Sequence, residues 1–525
     1  MYYVIGSGPS GVACAYALVR KGLQVTLIDA GLQLETARRQ QLLDLQAIAP
    51  QEWRGPKGAF LRDGMDATSQ GIPLKLAYGS DFPYRAVAGA TEVALHSASS
   101  TPSYAQGGLS NVWGSAVLPY RPLDIPDWPI SVDRLARHYR AVFEFMPLAA
   151  CRDSLEEEFP LYSQHPEPLR MSRQASSMLS DLERHGATLR RQGVRYGCSR
   201  IAVEAKRSGH SCAHCGLCMY GCPYELIYST SRTLAYLQGF GNFQYMPGLR
   251  ATRVEENADE ARVIIRSLST GDAGVFAGER VYLACGVLST TALLLRSLDH
   301  YDQTVQAVDS KYFLLPILRF RGTPGVRSEA LHTLAQIFLE IDDPAISPHT
   351  IHLQTYTYND LFEAALRSAL GPLARVLSGE TLISRLLLFQ GYLHSAHSAR
   401  LQMELRRKGE DDDLLHVSGE ERPESQGVLR KLIWKLFALS GEISAVPLFP
   451  LLRPGAPGRG FHTGGSFPMR EHPQGIETDI YGRPSGLSRI HAVDSSIFPS
   501  IPATTITLTA MANAHRIADE LEQYA

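Results

Sequence analysis

Four largely apolar residues, Tyr2-Tyr3-Val4-Ile5, come first in the chain, and a glycine-rich turn, Gly6-Ser7-Gly8-Pro9-Ser10-Gly11, follows at once. From Val12 to Lys21 the pattern becomes helical, with Ala13, Ala15, Ala17 and Leu18 small enough to lie closely on a sheet. Val25-Thr26-Leu27-Ile28 reads as a second strand ending in Asp29. The far end repeats this order: a strand from Ser488 ending in Asp494, then a helix from Thr505 to Tyr524 with Leu508, Met511, Ala512 and Ile517 on its packing face. In between, Thr333–Glu340 and Thr350–Tyr356 mix β-branched and aromatic residues as sheet strands do. Two leucine-rich stretches, Leu361–Leu377 and Leu382–Leu393, predict helices, with Arg367, Arg375 and Arg385 spaced along them. Buried packing helices are the preferred reading, and peripheral contact with a membrane surface is the alternative. Residues 409–413 read as a solvated turn, and 453–460 as a Pro/Gly linker.

The first of these units has a chemistry. Strand, Gly-x-Gly-x-x-Gly, helix, strand and acidic residue is the order needed to bind a dinucleotide. Gly6 makes the tight turn, Gly8 lets the backbone approach a pyrophosphate, and Gly11 allows helix and strand to touch. The helix N-terminus favours phosphate charge, and Asp29 can accept hydrogen bonds from a ribose. A returning strand–Asp494–helix unit suits FAD, because a flavin must be held beyond the first unit and a helix N-terminus stabilises negative charge on it.

Size and charge narrow the options. A chain of 525 residues exceeds one compact core, so two joined domains are expected. A formal net charge of -2 leaves no basic surplus for nucleic acid. No room for a leader segment precedes the first strand, and no apolar run reaches the ~18 residues that cross a bilayer. The expected location is the cytoplasm.

Further motifs occur in order along the chain. They are Gly107-Gly108-Leu109-Ser110-Asn111-Val112-Trp113-Gly114, Asp127-Trp128-Pro129-Ile130, Val281 to Thr290 with Leu293-Leu294-Leu295, Phe461-His462-Thr463-Gly464-Gly465-Ser466-Phe467-Pro468-Met469, and Val493-Asp494 to Ala518-Asp519. Together with the fingerprint they resemble the glucose–methanol–choline oxidoreductase family over most of the chain. The resemblance implies hydride transfer from an alcohol carbon to flavin N5, with His462 taking the hydroxyl proton. It implies flavin contacts from Gly108, Ser110, Asn111, Trp113, Gly286 and Asp494. The second catalytic position, usually His or Asn, falls on Thr505. Threonine can orient a hydroxyl but is no base at neutral pH. His491 is expected in or beside a strand and His515 on a helix surface, both structural.

Eight cysteines are present, and Cys212, Cys215, Cys218 and Cys222 crowd together as C-x2-C-x2-C-x3-C-P. That spacing holds iron–sulfur clusters in ferredoxins, so a 4Fe-4S or 3Fe-4S centre is expected, Cys198 being a possible substitute ligand. Structural zinc and metal-free thiols stay open.

The expected fold is α/β: an FAD-binding Rossmann-type domain from residues 1–120, 200–300 and 455–525, and a discontinuous substrate domain from 121–199 and 301–454, built on a mostly antiparallel sheet plus helices. The expected activity is oxidation of a small-molecule alcohol or sugar, with electrons passed through the cluster to a one-electron acceptor protein. A redox-neutral flavin isomerase or epimerase, an oxygen-using oxidase, and a non-enzymatic electron-transfer or degenerate flavin-binding protein are the rivals.

Overall fold

In the computed structural model, which describes residues 1–64, 74–207, 209–364, 379–409 and 413–520, Tyr2–Ile5 is buried on both faces and forms the central strand of a five-stranded sheet. The spatial order is Ile490–Ala492, Arg280–Leu283, Tyr2–Ile5, Val25–Ile28 and Phe243–Met246, every pair parallel. A parallel sheet is stable only when covered. The helices Pro9–Arg20 and Thr507–Glu520 pack on it and on each other. A three-stranded antiparallel sheet, Leu249–Glu256, Ala261–Ser267 and Ala273–Gly278, is attached through Glu256, whose carboxylate accepts the backbone N–H of Ser488 and Arg489, both at 2.7 Å.

The second large sheet is antiparallel. Its order is Ala445–Pro447, Tyr312–Arg319, Leu386–Tyr392, Ile351–Tyr356, Ile337–Ile341 and Val194–Cys198, with Arg453–Pro454 also on Tyr312–Arg319. Alternate residues divide between its faces. Phe313, Leu315, Ile317 and Phe389 pack under the helices Arg173–Arg184 and Pro423–Ala438. Tyr312, Leu314, Leu388, Gln390 and Tyr392 look into a cavity. A further sheet, Thr463–Gly464, Thr304–Asp309, Arg400–Arg407, Asp413–Glu420 and Glu92–His96, joins the two regions.

Three expectations need correction. Leu382–Leu393 is not a helix: a short turn of helix at Glu380–Ile383 precedes the strand Leu386–Tyr392. The strand is apolar on both faces because both are covered, and such a run carries no alternation to distinguish it from a buried helix. The other leucine stretch lies outside the described residues from 365 to 377. His515 is not on a surface. It is 9% exposed, its Nδ1 3.0 Å from that of His138, in the seam where Val132–Val142 crosses the terminal helix. That crossing helix belongs by sequence position to the expected substrate domain, yet Tyr139 bonds Thr509 at 2.9 Å and Arg134 meets Glu520 at 2.6 Å. His491 lies within the strand Ile490–Ala492, buried and stacked on Tyr282. Among the described residues no helix is long and apolar enough to cross a membrane.

Arg121 ties the antiparallel sheet to the preceding loops. Its buried guanidinium donates to Asp342 at 2.7 and 2.9 Å, to Asp124 at 3.2 Å and to Glu158 at 3.2 Å. Removing the cation strands the buried Asp124 carboxylate and leaves the partly exposed Glu158 and Asp342 unpaired beside it. Arg121→Met is therefore expected to cost about 3–5 kcal/mol in denaturant unfolding; a variant as stable as the parent would show that the cluster contributes nothing net.

Candidate active site

The glycine fingerprint builds a cavity by what it leaves out. Gly6 has φ +99°, and a Cβ there would lie 2.6 Å from the Ala284 carbonyl oxygen. A Cβ on Gly11 would lie 1.9 Å from the Gly6 oxygen, so strand and helix touch through backbone. Gly8 differs: nothing lies within 4 Å of its missing side chain, which faces a cavity of about 260 Å³. Gly108, with φ +55°, would place a Cβ 3.3 Å from the Gly8 Cα, closing one wall, and Gly286 (φ +81°) opens onto another.

This cavity runs from Asp29 past Gly8 to Ser495, Ile506 and Thr507 at the start of the terminal helix. Asp29 accepts from the Ser7 hydroxyl and, at 3.2 Å, from the Tyr245 hydroxyl; burial lifts its carboxyl to about 6. Arg250 also lines the space. A glycine opening at a helix N-terminus, a carboxylate at one end and a cation on the wall together fit a dinucleotide.

Two residues expected to touch the flavin act from behind the wall. Asp494 accepts from Gly286 N at 2.9 Å, Thr290 Oγ1 at 2.5 Å and Ser496 N at 2.9 Å, so it fastens the turns at Gly286 and Ser495. The Asn111 amide donates to the carbonyls of Gln106 at 2.9 Å and Gly108 at 2.7 Å, bracing that loop. Ser110 and Trp113 line a second cavity, the indole N–H held by the Tyr228 carbonyl at 2.8 Å.

That second cavity, about 410 Å³, shares Pro9, Leu109, Phe461, Ile506 and Thr507 with the first. His462 sits in its wall, half-buried. The Tyr392 ring stacks on the imidazole at 4.5 Å. Nδ1 has no hydrogen-bond partner among the described residues. Burial, assisted by His352, pulls the imidazole down to about 3, so it is neutral at ordinary pH. Asp309 holds the loop that carries it, accepting from Gly458 N at 2.9 Å and Thr463 Oγ1 at 3.2 Å; burial lifts that carboxyl to about 7. Ser310 N donates to the His462 carbonyl at 3.0 Å.

Thr505 is placed otherwise than expected. Its hydroxyl accepts from Leu118 N at 2.7 Å, and it lines neither cavity, whereas Thr507 lines both. Sequence reasoning missed Ser7, Tyr245, Tyr392 and Lys75. Ser7 lay within the fingerprint, but the others stand in segments without a motif.

The structure lends the cysteine expectation no support. Cys212, Cys218 and Cys222 pack among Ile201, Val203, Leu226 and Leu334, while Cys215 packs with Trp53, Leu61 and Leu217. Burial raises Cys212 to about 11 and Cys222 to about 12, and the neighbouring thiols of the run push in the same direction. Among the described residues no group of three or more His, Cys, Asp or Glu is placed to hold a metal ion. Cys198 lies apart from the run, on the strand Val194–Cys198 with its thiol against Cys151. The loop instead supplies Met219 to the second cavity.

Comparison with known proteins agrees with this geometry. Residues 4–41 match the NAD(P)-binding Rossmann-like domain. A 320-residue stretch is 26% identical to 6'''-hydroxyparomomycin C oxidase of Streptomyces lividus, covering 57% of this chain and 50% of that protein. The matched stretch thus spans about half the length of that curated relative. The crystal structure of pyridoxine 4-oxidase from Mesorbium loti superposes with a TM-score of 0.61 at 14% identity, over 100% of this chain and 99% of that one, and shows the same fold.

The two fingerprint glycines should separate experimentally. Gly8→Val is expected to keep the parent melting temperature yet lose bound dinucleotide, while Gly11→Val unfolds the sheet–helix contact and lowers that temperature. Thermal melts with absorbance of released nucleotide check both; nucleotide retained by Gly8→Val would refute the assignment of the cavity.

Proposed function

We propose that this chain is an FAD-dependent oxidoreductase of the glucose–methanol–choline type that oxidises a small-molecule alcohol to its carbonyl. The observation that carries this reading is the junction of the two cavities. Phe461, Ile506 and Thr507 wall both, and the next residue after Phe461 is a histidine in the wall of the second cavity whose imidazole is held neutral.

When bound, FAD supplies a two-electron acceptor for the hydrogen leaving the alcohol carbon. The protein does the rest. Gly8 and the N-terminus of Pro9–Arg20 seat the pyrophosphate, Asp29 the ribose, and the N-terminus of Thr507–Glu520 faces the ring end of the cavity. His462 accepts the hydroxyl proton. Tyr392 fixes the ring plane, and Asp309 fixes the loop. Thr505 is a structural acceptor in this scheme.

Direct use of oxygen is favoured for the second half of the cycle. Both relatives are named oxidases.

Anaerobic mixing with substrate is expected to bleach the flavin, and air to restore it. His462→Ala should bind FAD and lose bleaching by about 10²–10⁴-fold. Cys218→Ser should bleach and recover like the parent; loss of recovery alone would put the cysteines on the electron path. Because the imidazole stays unprotonated down to about pH 3, bleaching should show no acid limb near ~6.5, the ordinary histidine value. Such a limb would mean that an unburied imidazole is the base.

A further inference from the structure

The second cavity offers its occupant a restricted chemistry. Leu314, Pro316, Leu361, Phe362, Ile383 and Leu388 make much of its wall. Hydroxyls of a sugar pressed against such a wall would go unpaired, each costing about 1–3 kcal/mol. The wall therefore suits an apolar body better than the sugar expected from the sequence.

The wall also carries polar and charged groups, and one of them stands out. Lys75 lines the cavity beside Trp113 and Met219. Its ammonium has three N–H donors, and the described residues give it one acceptor, the Trp113 carbonyl at 3.0 Å. Among the described residues the one carboxylate on the wall is Glu363, engaged by Arg327 at 2.9 Å and by the Tyr358 hydroxyl at 2.9 Å. Arg453 and Arg459 line the same space. No described carboxylate pairs with Lys75, which lies near the thiols of Cys218 and Cys222, and an anionic group on the ligand would give its ammonium a counter-charge.

We infer that the substrate is a largely apolar alcohol carrying one acidic group, and that Lys75 pairs with that group. The inference rests on the reading of the cavity as the alcohol site. Lys75 is then a specificity residue: it selects by charge at one part of the cavity, while His462 acts on the hydroxyl at another.

The test separates binding from turnover. Calorimetry on the flavin-loaded protein compares 4-methylbenzoate with 4-methylbenzamide, which match in shape and lack an oxidisable alcohol. Anaerobic bleaching compares 4-(hydroxymethyl)benzoate with its amide. The acids are expected to be preferred by roughly tenfold or more, Lys75→Met to bring acid and amide level, and Lys75→Arg to keep the preference. Equal binding of acid and amide by the parent protein, or a preference that survives Lys75→Met, overturns the inference. Acid-selective binding with no bleaching by any alcohol would uphold Lys75 and defeat the alcohol-oxidising reading. Bleaching by glucose with neither probe bound would do the opposite.

Discussion

Three segments of backbone approach more closely than side chains allow where Tyr2–Ile5, Pro9–Arg20 and Arg280–Leu283 with the turn after it converge. Gly11 lies against the Gly6 carbonyl, and Gly6 against the carbonyl of Ala284. These contacts set the depth at which the first helix begins, and so where its unpaired N–H groups point. They also fix the turn at Gly286, which Asp494 then fastens to the final crossover. The dinucleotide cavity is the volume left over by this crossing. Its open floor at Gly8 has meaning only because Gly6 and Gly11 have none to spare.

From that crossing the chemistry of the second cavity follows by exclusion of water. A histidine ordinarily titrates near neutrality, but one enclosed beneath Tyr392 and beside His352 resists acquiring charge. The same enclosure lifts Asp309 and Asp29 toward neutrality. On the proposed function, a proton taken from a substrate hydroxyl enters surroundings that do not stabilise it, so the base would hold it only while a negative or electron-rich neighbour is present. Acceptance of the proton and departure of hydrogen from the carbon are coupled by the dielectric of the site as much as by its geometry.

Tyr2–Ile5 and Val25–Ile28 were legible because each is short, apolar and followed at once by Gly6 or Asp29, whereas Phe243–Met246, between Asn242 and Pro247, carried no such signal. The residues Gly6, Gly8, Gly11 and Asp29 could be singled out from their spacing and Gly286 from the family resemblance, and the structure brings all five to one cavity or its supporting turns. The antiparallel sheet was harder. Leu386–Tyr392 is apolar toward helices on one side and toward a cavity on the other, so its period of two is erased. Tyr392 was hidden in that run, and Lys75 in a segment with no pattern, because both owe their position to partners far along the chain. His515 shows the converse: a polar residue at a helical position was assigned to solvent, but a crossing helix covers it.

Thr505, Asn111, Asp494 and the cysteine run share one lesson about motifs near a cavity. Each polar side chain among the first three accepts from or donates to backbone adjoining the wall, at Leu118, Gly108 and Gly286 respectively. A buried polar side chain must first satisfy itself, and a loop crowded against a ligand site is rich in unsatisfied backbone groups. Such residues shape the wall without lining it. The cysteines follow the same logic with apolar partners. Ligation by four thiolates requires the sulfurs to converge; the loop turns through left-handed residues at His214, Gly216 and Gly221 and brings its four thiols near one another, each also packed against apolar side chains. Spacing along the chain specifies which residues can meet, and the packing around them decides whether they do.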